Sequence, residues 1–413
     1  MNRIILIGNG FDLAHGLKTS YADFIKWYWN EFGEKLSSGS MSVVEDRLCS
    51  FKLRDDRANW LNTLHFLYPI INPLSPKSGY ELAETAKTDR NLCNFTIKSL
   101  FFEKICEEVE TKNWVDIEDV YYEFLKKSDN PKQLNEDLDF IKDKLVEYLS
   151  LLPEPTLNPN VKNQIWAPIN REDISVESKE KWKELLQNRK KYDTQDWDRL
   201  FLGYKDDECS TSDVEYFKNI LEKAIDNEAK GKTDKIYSML LLPDNILLLN
   251  FNYTNTADLY LPKFDKFQVN HIHGELSNPQ SVIFGYGDEH DDEYQPLMKK
   301  NDNEYLRHIK SFRYLEAANY RKMLSFIEMD AYQVCIMGHS CGVSDRTLLK
   351  TLFEHKNCVS IKPYYHKKAD ETDDYWDIVC NIARNISDPS LMRDRVVIKE
   401  HCEPLSQLSQ YSL

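Results

Sequence analysis

Residues 3–16 read RIILIGNGFDLAHG, an apolar run that stops at glycine and continues into a helical pattern. Such a run, bounded by glycine, is typical of a strand buried on both faces of a parallel sheet. Gly8 and Gly10 would let the backbone approach a phosphate closely, and amides at a helix start would donate hydrogen bonds to it. The dinucleotide fingerprint needs its third glycine where this chain has Leu13. The loop alone leaves open a nucleotide site and a simple turn between strand and helix.

Further strand-like runs occur only in the second half of the chain, and the sequence between is mostly helical in pattern. These runs lie at 245–251, 267–273, 281–287, 332–338, 358–365 and 395–400. The simplest assembly is an α/β fold, with a Rossmann-like parallel sheet core and a large, mostly helical insertion after the first strand-helix unit. The predicted boundaries are a core of residues 1–35 and 240–402, an insertion or lid domain of residues 36–239, and a flexible tail of residues 403–413.

Composition excludes several classes of partner. The chain carries 53 Lys and Arg against 68 Asp and Glu, a formal charge of −15, and so acidic a surface repels nucleic acid and anionic lipid. No apolar run approaches the roughly 18 residues of a membrane helix, and the opening residues lack a signal-peptide pattern. The nine cysteines include no CxxC pair, which argues against a disulfide framework and a zinc site. We therefore expect a cytoplasmic protein with no nucleic-acid partner, no membrane partner and no metal.

Polar residues follow two of the predicted strands. NFNYTNT at 250–256 follows one run and HIHGE at 271–275 follows the next. At the carboxyl ends of parallel strands, such side chains point into the crevice where open α/β sheets bind ligands. Asn252 can hold a hydroxyl or a water, and His273 can act as a base near neutral pH. The alternative is that the asparagines cap a turn and the histidine is an interior residue with its hydrogen bonds satisfied.

A third motif is MGHSCGVSD at 337–345, which contains the GxSxG pattern of a hydrolase nucleophile elbow between a strand and a helix. In such hydrolases an acid and then a histidine follow the serine, and only His401 follows the candidate acids at 370–374 in that order. The alternative is a turn in which Gly338 and Ser340 contact a ribose or a phosphate.

These three motifs, together with NWVDIE at 113–118, are similar to those of the AbiH family of bacteriophage abortive-infection proteins. The motifs are spread over nearly the whole chain, so the resemblance extends over its full length. It implies an antiphage effector that responds to a phage-derived trigger and self-associates as a homo-oligomer.

AbiH proteins in turn resemble, more distantly, sirtuin-type NAD-binding domains, which implies NAD as ligand or substrate. The residues that this resemblance places against NAD are Gly8, Asn9, Gly10, Asp12, Gly338 and Ser340, with Gly16 beside the same loop. Sirtuin deacylases carry a four-cysteine zinc module after their histidine, whereas residues 274–331 contain no cysteine. The resemblance therefore implies NAD hydrolysis and not protein deacylation.

The same resemblance implies the catalytic residues. Asn252 takes the place of the sirtuin asparagine and would position water or a ribose hydroxyl, and His273 takes the place of the histidine that accepts its proton. Thr254 stands where the sirtuin motif has an aspartate, and Asp12 could supply the missing charge. The predicted activity is that of an NAD glycohydrolase. The alternatives are a catalytically silent nucleotide-binding sensor or assembly module, and a serine hydrolase that uses Ser340.

Overall fold

The computed structural model describes residues 1–37, 43–53, 93–112, 116–202, 204, 207–230, 232, 236–262 and 265–408. The described strands are β1 (Asn2–Ile7), β2 (Val43–Glu45), β3 (Cys49–Leu53), β4 (Cys93–Ile97), β5 (Ile246–Asn250), β6 (Phe267–His271), β7 (Tyr332–Met337) and β8 (Cys358–Tyr364). The described α-helices are α1 (Asn9–Ala14), α2 (Tyr21–Ser37), α3 (Leu100–Lys112), α4 (Ile117–Lys127), α5 (Pro131–Ser150), α6 (Pro159–Ile165), α7 (Lys179–Arg189), α8 (Thr194–Phe201), α9 (Thr211–Ala229), α10 (Tyr294–Lys299), α11 (Lys310–Arg313), α12 (Asn319–Met329), α13 (Arg346–Glu354), α14 (Tyr375–Asn385) and α15 (Pro389–Arg395). Within these ranges, none of the helices has the length and apolar character needed to cross a bilayer.

The protein is an α/β protein built on a five-stranded parallel sheet in the order β6-β5-β1-β7-β8. The central strand β1 pairs on one side with β5, where Ile4 lies opposite Leu247, and on the other with β7, where Ile4 lies opposite Val334. Every residue of β1, β5, β7 and β8 is buried. Burial on both faces explains why these strands are continuous apolar runs and could be predicted from them.

Two of the predicted strands do not form. In the run 281–287, the N–H of Gly285 donates to a side chain, Glu118 Oε1, and only Tyr286 makes an isolated bridge, to Ile309. The run 395–400 begins at the last residue of α15, so only a short piece extends along β8, with a single bridge from Val396 to Ile361. Both predictions were wrong because an apolar run does not reveal where its backbone N–H groups donate.

The chain divides into two compact units whose bounds differ from the predicted domains. Unit 1 comprises Met1–Leu17, Glu154–Val282 and Tyr314–Leu413, and unit 2 comprises Lys18–Pro153 and Ile283–Arg313. Residues 154–239, predicted to belong to the insertion, therefore lie in the unit that contains the parallel sheet. The segments 18–35 and 283–313, predicted to belong to the core, lie in the other unit.

Unit 2 contains helices α2 to α5, as the helical patterns predicted, and also a small sheet that those patterns did not reveal. This second sheet is antiparallel, in the order β2-β3-β4. Val44 pairs with Phe51, and Ser50 pairs with Thr96 on the other side.

The described residues after Cys402 pack against the rest of unit 1, in contrast to the predicted flexible tail at 403–413. Leu405 is buried and its N–H donates to the carbonyl of Tyr365 at 2.8 Å. The N–H of Leu408 donates to the carbonyl of Ala14, at the end of α1, at 2.9 Å. Residues 409–413 lie outside the described ranges.

Candidate active site at the carboxyl edge of the sheet

The residues predicted to form the site follow four neighbouring strands of the parallel sheet. Gly8 follows β1, Asn252 follows β5, His273 follows β6 and Gly338 follows β7. Because the strands are parallel, their carboxyl ends meet at one edge. The chain places β5 and β6 on one side of β1 and then β7 and β8 on the other, so the strand order reverses beside β1. Such a reversal is where open α/β sheets bind ligands.

The glycines of the first loop pack against the turn after β7. The N–H of Gly10 donates to the carbonyl of Gly338 at 2.8 Å. A Cβ atom on Gly338 would lie 2.0 Å from the backbone nitrogen of Phe11, and one on Gly8 would lie 2.5 Å from Cα of His339. The lack of side chains therefore serves contact between two protein loops. Contact of Gly8, Asn9, Gly10 and Gly338 with NAD stays a prediction.

Gly16 has a structural role that explains its unusual spacing. It lies just after α1 with φ +79°, and the N–H of Leu17 donates back to the carbonyl of Asp12 at 3.1 Å. A left-handed residue at this position is a common way to end a helix. The third glycine of the opening stretch therefore ends α1.

Asp12 is a buried carboxylate with an unusual environment. It is 1% exposed, and its Oδ2 accepts a hydrogen bond from Thr254 Oγ1 at 2.7 Å. Its Oδ1 has no hydrogen-bond partner among the described residues. Burial raises the pKa of Asp12 from 3.8 to about 6, and the Thr254, Thr256 and Asn252 side chains offset part of that rise. A group with this pKa is mostly ionised at neutral pH, in surroundings that favour its neutral form.

Asn252 is fixed against the glycine loop. Its Nδ2 donates to the carbonyl of Gly8 at 3.0 Å, and its backbone N–H donates to Asn250 Oδ1 at 3.1 Å. Asn250 also donates to the carbonyl of Thr254 at 3.0 Å, so it is this first asparagine that closes the turn. The turn-capping alternative therefore describes Asn250, whereas Asn252 connects the end of β5 to the end of β1.

His273 lies in a buried polar cluster. Its Nε2 is 3.1 Å from the hydroxyl of Tyr314 and 3.2 Å from Oδ1 of Asp345. The ring of Phe251 packs edge-on against His273 and against His339, with centroid distances of 5.2 and 4.1 Å. The histidine after β6 and the residues after β7 therefore belong to one cluster.

Two members of this cluster, Asp345 and Tyr314, were not identified from the sequence. Asp345 lies between the two imidazoles, with Oδ2 3.7 Å from Nε2 of His339, and Tyr314 contacts His273 from a segment that carries no motif. The sequence did contain a signal, because Asp345 stands in the VSD end of the third motif. An aspartate directly before a helix is typical of an N-terminal cap, but the Asp345 side chain caps no backbone N–H of α13.

Ser340 does not have the surroundings of a hydrolase nucleophile. It is exposed, and its carbonyl accepts a hydrogen bond from Asn381 at 2.7 Å. The residue with positive φ in this turn, besides Gly338, is Cys341 at +55°. His401 is the histidine whose place in the chain order suits a Ser-acid-His triad. Its Nδ1 lies 3.9 Å from Oδ1 of Asp173. In the described part of the chain, we find neither a hydrogen bond from the Ser340 hydroxyl to an imidazole nitrogen nor a group of His, Cys, Asp and Glu that could hold a metal ion.

The fold and the site define the protein as an α/β protein with a buried polar site at the carboxyl edge of a parallel sheet. The family model described as "Bacteriophage abortive infection AbiH" matches residues 4–366, which is nearly the whole chain. The chain therefore belongs to the AbiH family, and this membership indicates a role in abortive infection of bacteriophage. Searches of curated proteins and of solved structures found no match. Of the NWVDIE motif at 113–118, residues 113–115 lie outside the described ranges.

Proposed function

We propose that this protein is an antiphage effector that hydrolyses NAD at the bond between nicotinamide and ribose. The observation that carries the proposal is the hydrogen bond of 2.7 Å between Thr254 and Asp12. Sirtuin-type domains have an aspartate where this chain has Thr254, and here the threonine holds a carboxylate that comes from α1. The negative charge that the motif lacks is therefore present beside it.

The reaction requires stabilisation of positive charge. As the nicotinamide departs with the electron pair of the bond, the ribose acquires oxocarbenium character. Burial penalises the ionised form of Asp12, and a positive charge that forms beside it relieves that penalty, so the attraction is larger in the transition state than before reaction. The Oδ1 atom of Asp12, which no described residue contacts by a hydrogen bond, is suited to this role.

The remaining groups supply orientation and proton transfer. Asn252, held by the Gly8 carbonyl, positions the attacking water or a ribose hydroxyl. The oxygen of water forms a bond to the ribose carbon that nicotinamide leaves, and the proton of that water passes to His273. The products are nicotinamide and ADP-ribose, and the reaction requires no oxidant or metal.

The test is nicotinamide release from NAD by the purified full chain. We expect Asp12→Asn, Asn252→Ala and His273→Ala each to lower kcat by about 10²-fold or more, because each removes a positioned charge or proton acceptor. The matched control is Asn255→Ala. Asn255 is exposed, lies three residues beyond Asn252 and caps no helix through its side chain. This variant should retain the activity of the unaltered chain.

Other outcomes separate the alternatives. NAD binding without nicotinamide release would contradict the hydrolase and favour a silent sensor or assembly module. Ester hydrolysis lost only in Ser340→Ala would favour the serine hydrolase. A phage-derived trigger and self-association stay predictions. NAD loss in infected cells tests the first, and the mass of the protein in solution tests the second.

A further inference from the structure

We propose that Asp345 holds His273 as the tautomer protonated on Nε2, so that Nδ1 is the nitrogen that accepts the proton. This inference rests on the proposed function, since it assigns a positioning residue to the same site. Asp345 lies between two imidazoles, 3.2 Å from His273 Nε2 through Oδ1 and 3.7 Å from His339 Nε2 through Oδ2. All three side chains are buried, so bulk water does not compete for these contacts.

The tautomer of His339 is fixed by the backbone. The N–H of Cys341 lies 2.9 Å from Nδ1 of His339. A backbone N–H can only donate, so the neutral imidazole carries its lone pair on Nδ1 and its hydrogen on Nε2. This hydrogen faces Oδ2 of Asp345 across an N···O distance of 3.7 Å, which is an electrostatic contact and longer than a hydrogen bond. His339 is therefore a fixed donor, and its own lone pair is occupied by the turn.

At His273, the carboxylate of Asp345 selects the tautomer, as the backbone N–H of Cys341 does at His339. An ionised carboxylate only accepts, so Asp345 favours a hydrogen on the His273 nitrogen that faces it, which is Nε2. The Tyr314 hydroxyl, 3.1 Å from the same nitrogen, can share that hydrogen as a second acceptor. The lone pair of neutral His273 then lies on Nδ1, and the other histidine cannot replace it as a base.

The substitution Asp345→Asn should reverse this arrangement at one histidine only. A carboxamide presents one acceptor and one donor group. His339 keeps its donor on Nε2 because of the Cys341 N–H, so it takes the carboxamide oxygen. The NH2 group then faces His273, which must accept on Nε2 and carry its hydrogen on Nδ1. The base is present but in the wrong tautomer.

The kinetic test uses a pair of variants. We expect Asp345→Asn to lower kcat by about 10²–10⁴-fold, the range for a mispositioned or lost general base, with little change in KM. Adding His339→Asn should raise kcat by at least about tenfold again, because the carboxamide at 345 can then turn its oxygen to His273. The oxygen of the introduced asparagine can still accept from the Cys341 N–H. A merely structural role of Asp345 predicts no such recovery, and additive losses would overturn the proposal.

A second readout needs no substrate. The ring ¹⁵N shifts of His273, assigned by comparison with His273→Gln, distinguish a hydrogen on Nε2 from one on Nδ1 in the protein without NAD. We expect Nε2–H in the unaltered chain and Nδ1–H in Asp345→Asn. An Nδ1–H tautomer in the unaltered chain overturns the proposal. The expected tautomers in a chain that releases no nicotinamide would refute the proposed function alone and support the control of His273 by Asp345.

Discussion

Asp12 shows how a single buried residue can reduce stability at neutral pH. Its pKa rises from 3.8 to about 6 on folding because the carboxylate is buried. Above both values the ionised group is transferred to surroundings that favour the neutral acid, which costs about 3 kcal/mol at 1.4 kcal/mol per pKa unit. Below both values the neutral acid is present in the folded and unfolded chain, and that cost vanishes.

We therefore predict that Asp12→Asn is more stable than the unaltered chain at pH 7.5, by up to about 3 kcal/mol. The asparagine oxygen can still accept the hydrogen bond from Thr254. The advantage should shrink as the pH falls through about 6 towards about 4, because the aspartate gains the proton that its folded pKa favours. Urea unfolding of both proteins at several pH values measures the difference.

Asp244 provides a control with the opposite sign. Burial raises its pKa, but Arg189 and the ammonium group of Met1 lower it more, so its folded pKa lies below the ordinary value. Asp244→Asn should lower the free energy of unfolding at pH 7.5 and show less effect in acid. If both variants shift in the same direction, the explanation from burial of Asp12 is incorrect.

At this scale the sequence could predict residues that follow strands, and it could not predict their partners. Asn252 and His273 were identifiable because polar residues directly after apolar runs converge at one edge. Asp345 lies 72 positions beyond His273 in the chain, and its local sequence is that of a helix start. The contact of 3.2 Å between them depends on the neighbouring loops, which no local pattern encodes.

Among the elements, the loops after β1 and β7 depend on each other. The N–H of Gly10 donates to Gly338, and Gly338 has φ +75° with no room for a Cβ atom beside Phe11. The loop that carries Asp12 and the turn that carries His339 are therefore one packed assembly. A change in either should disturb both parts of the site.

Two glycines of similar φ give a matched pair for testing this packing. Gly16→Ala, at φ +79° with no atom within 4 Å of the added carbon, should cost only the strain of a left-handed residue, about 1–2 kcal/mol. Gly338→Ala, at φ +75°, adds a contact of 2.0 Å with the Phe11 nitrogen. We expect a much larger loss of stability or failure to fold, measured by thermal unfolding. Equal losses of stability in the two variants would show that the positive φ alone, and not the contact with Phe11, accounts for the cost.

The elements that the sequence predicted are those whose pattern is set by burial on both faces. Four of the five strands of the parallel sheet, β1, β5, β7 and β8, belong to this class, whereas β6 includes an exposed residue. The sheet of β2, β3 and β4 could not be predicted in the same way, because its strands have three to five residues and β4 begins 40 positions after β3 ends. A pairing between such distant short strands leaves no periodicity in the sequence.

At the scale of the whole molecule, unit 2 joins two distant parts of the chain through a buried ion pair. Lys310 is fully buried, and its Nζ lies 2.9 Å from Glu118 Oε2. The other oxygen of Glu118 accepts the N–H of Gly285 at 2.9 Å. The segment 283–313 is thereby fixed to α4 within unit 2. The predicted domain boundaries missed this because the sequence around 283 shows no change in composition that marks a boundary.

We predict that Lys310→Met lowers the free energy of unfolding by about 3–5 kcal/mol, because it leaves the buried carboxylate of Glu118 without its ammonium partner. The double variant Glu118→Gln with Lys310→Met should be less destabilised than this single variant, since glutamine is neutral and can still accept from Gly285. Urea unfolding of the single and double variants measures the coupling. Additive losses would contradict a paired role for the two charges.

The central place of β1 has a consequence for synthesis of the protein. Ile4 emerges from the ribosome early, but its partners Leu247 and Val334 are made 243 and 330 positions later. At about 5–20 residues per second, the wait for the second partner is about 15–70 s. Asp345 is translated later still. A nascent chain therefore holds no assembled polar site until β7 and the turn after it have been translated, and a product that stops before β7 lacks both His339 and Asp345.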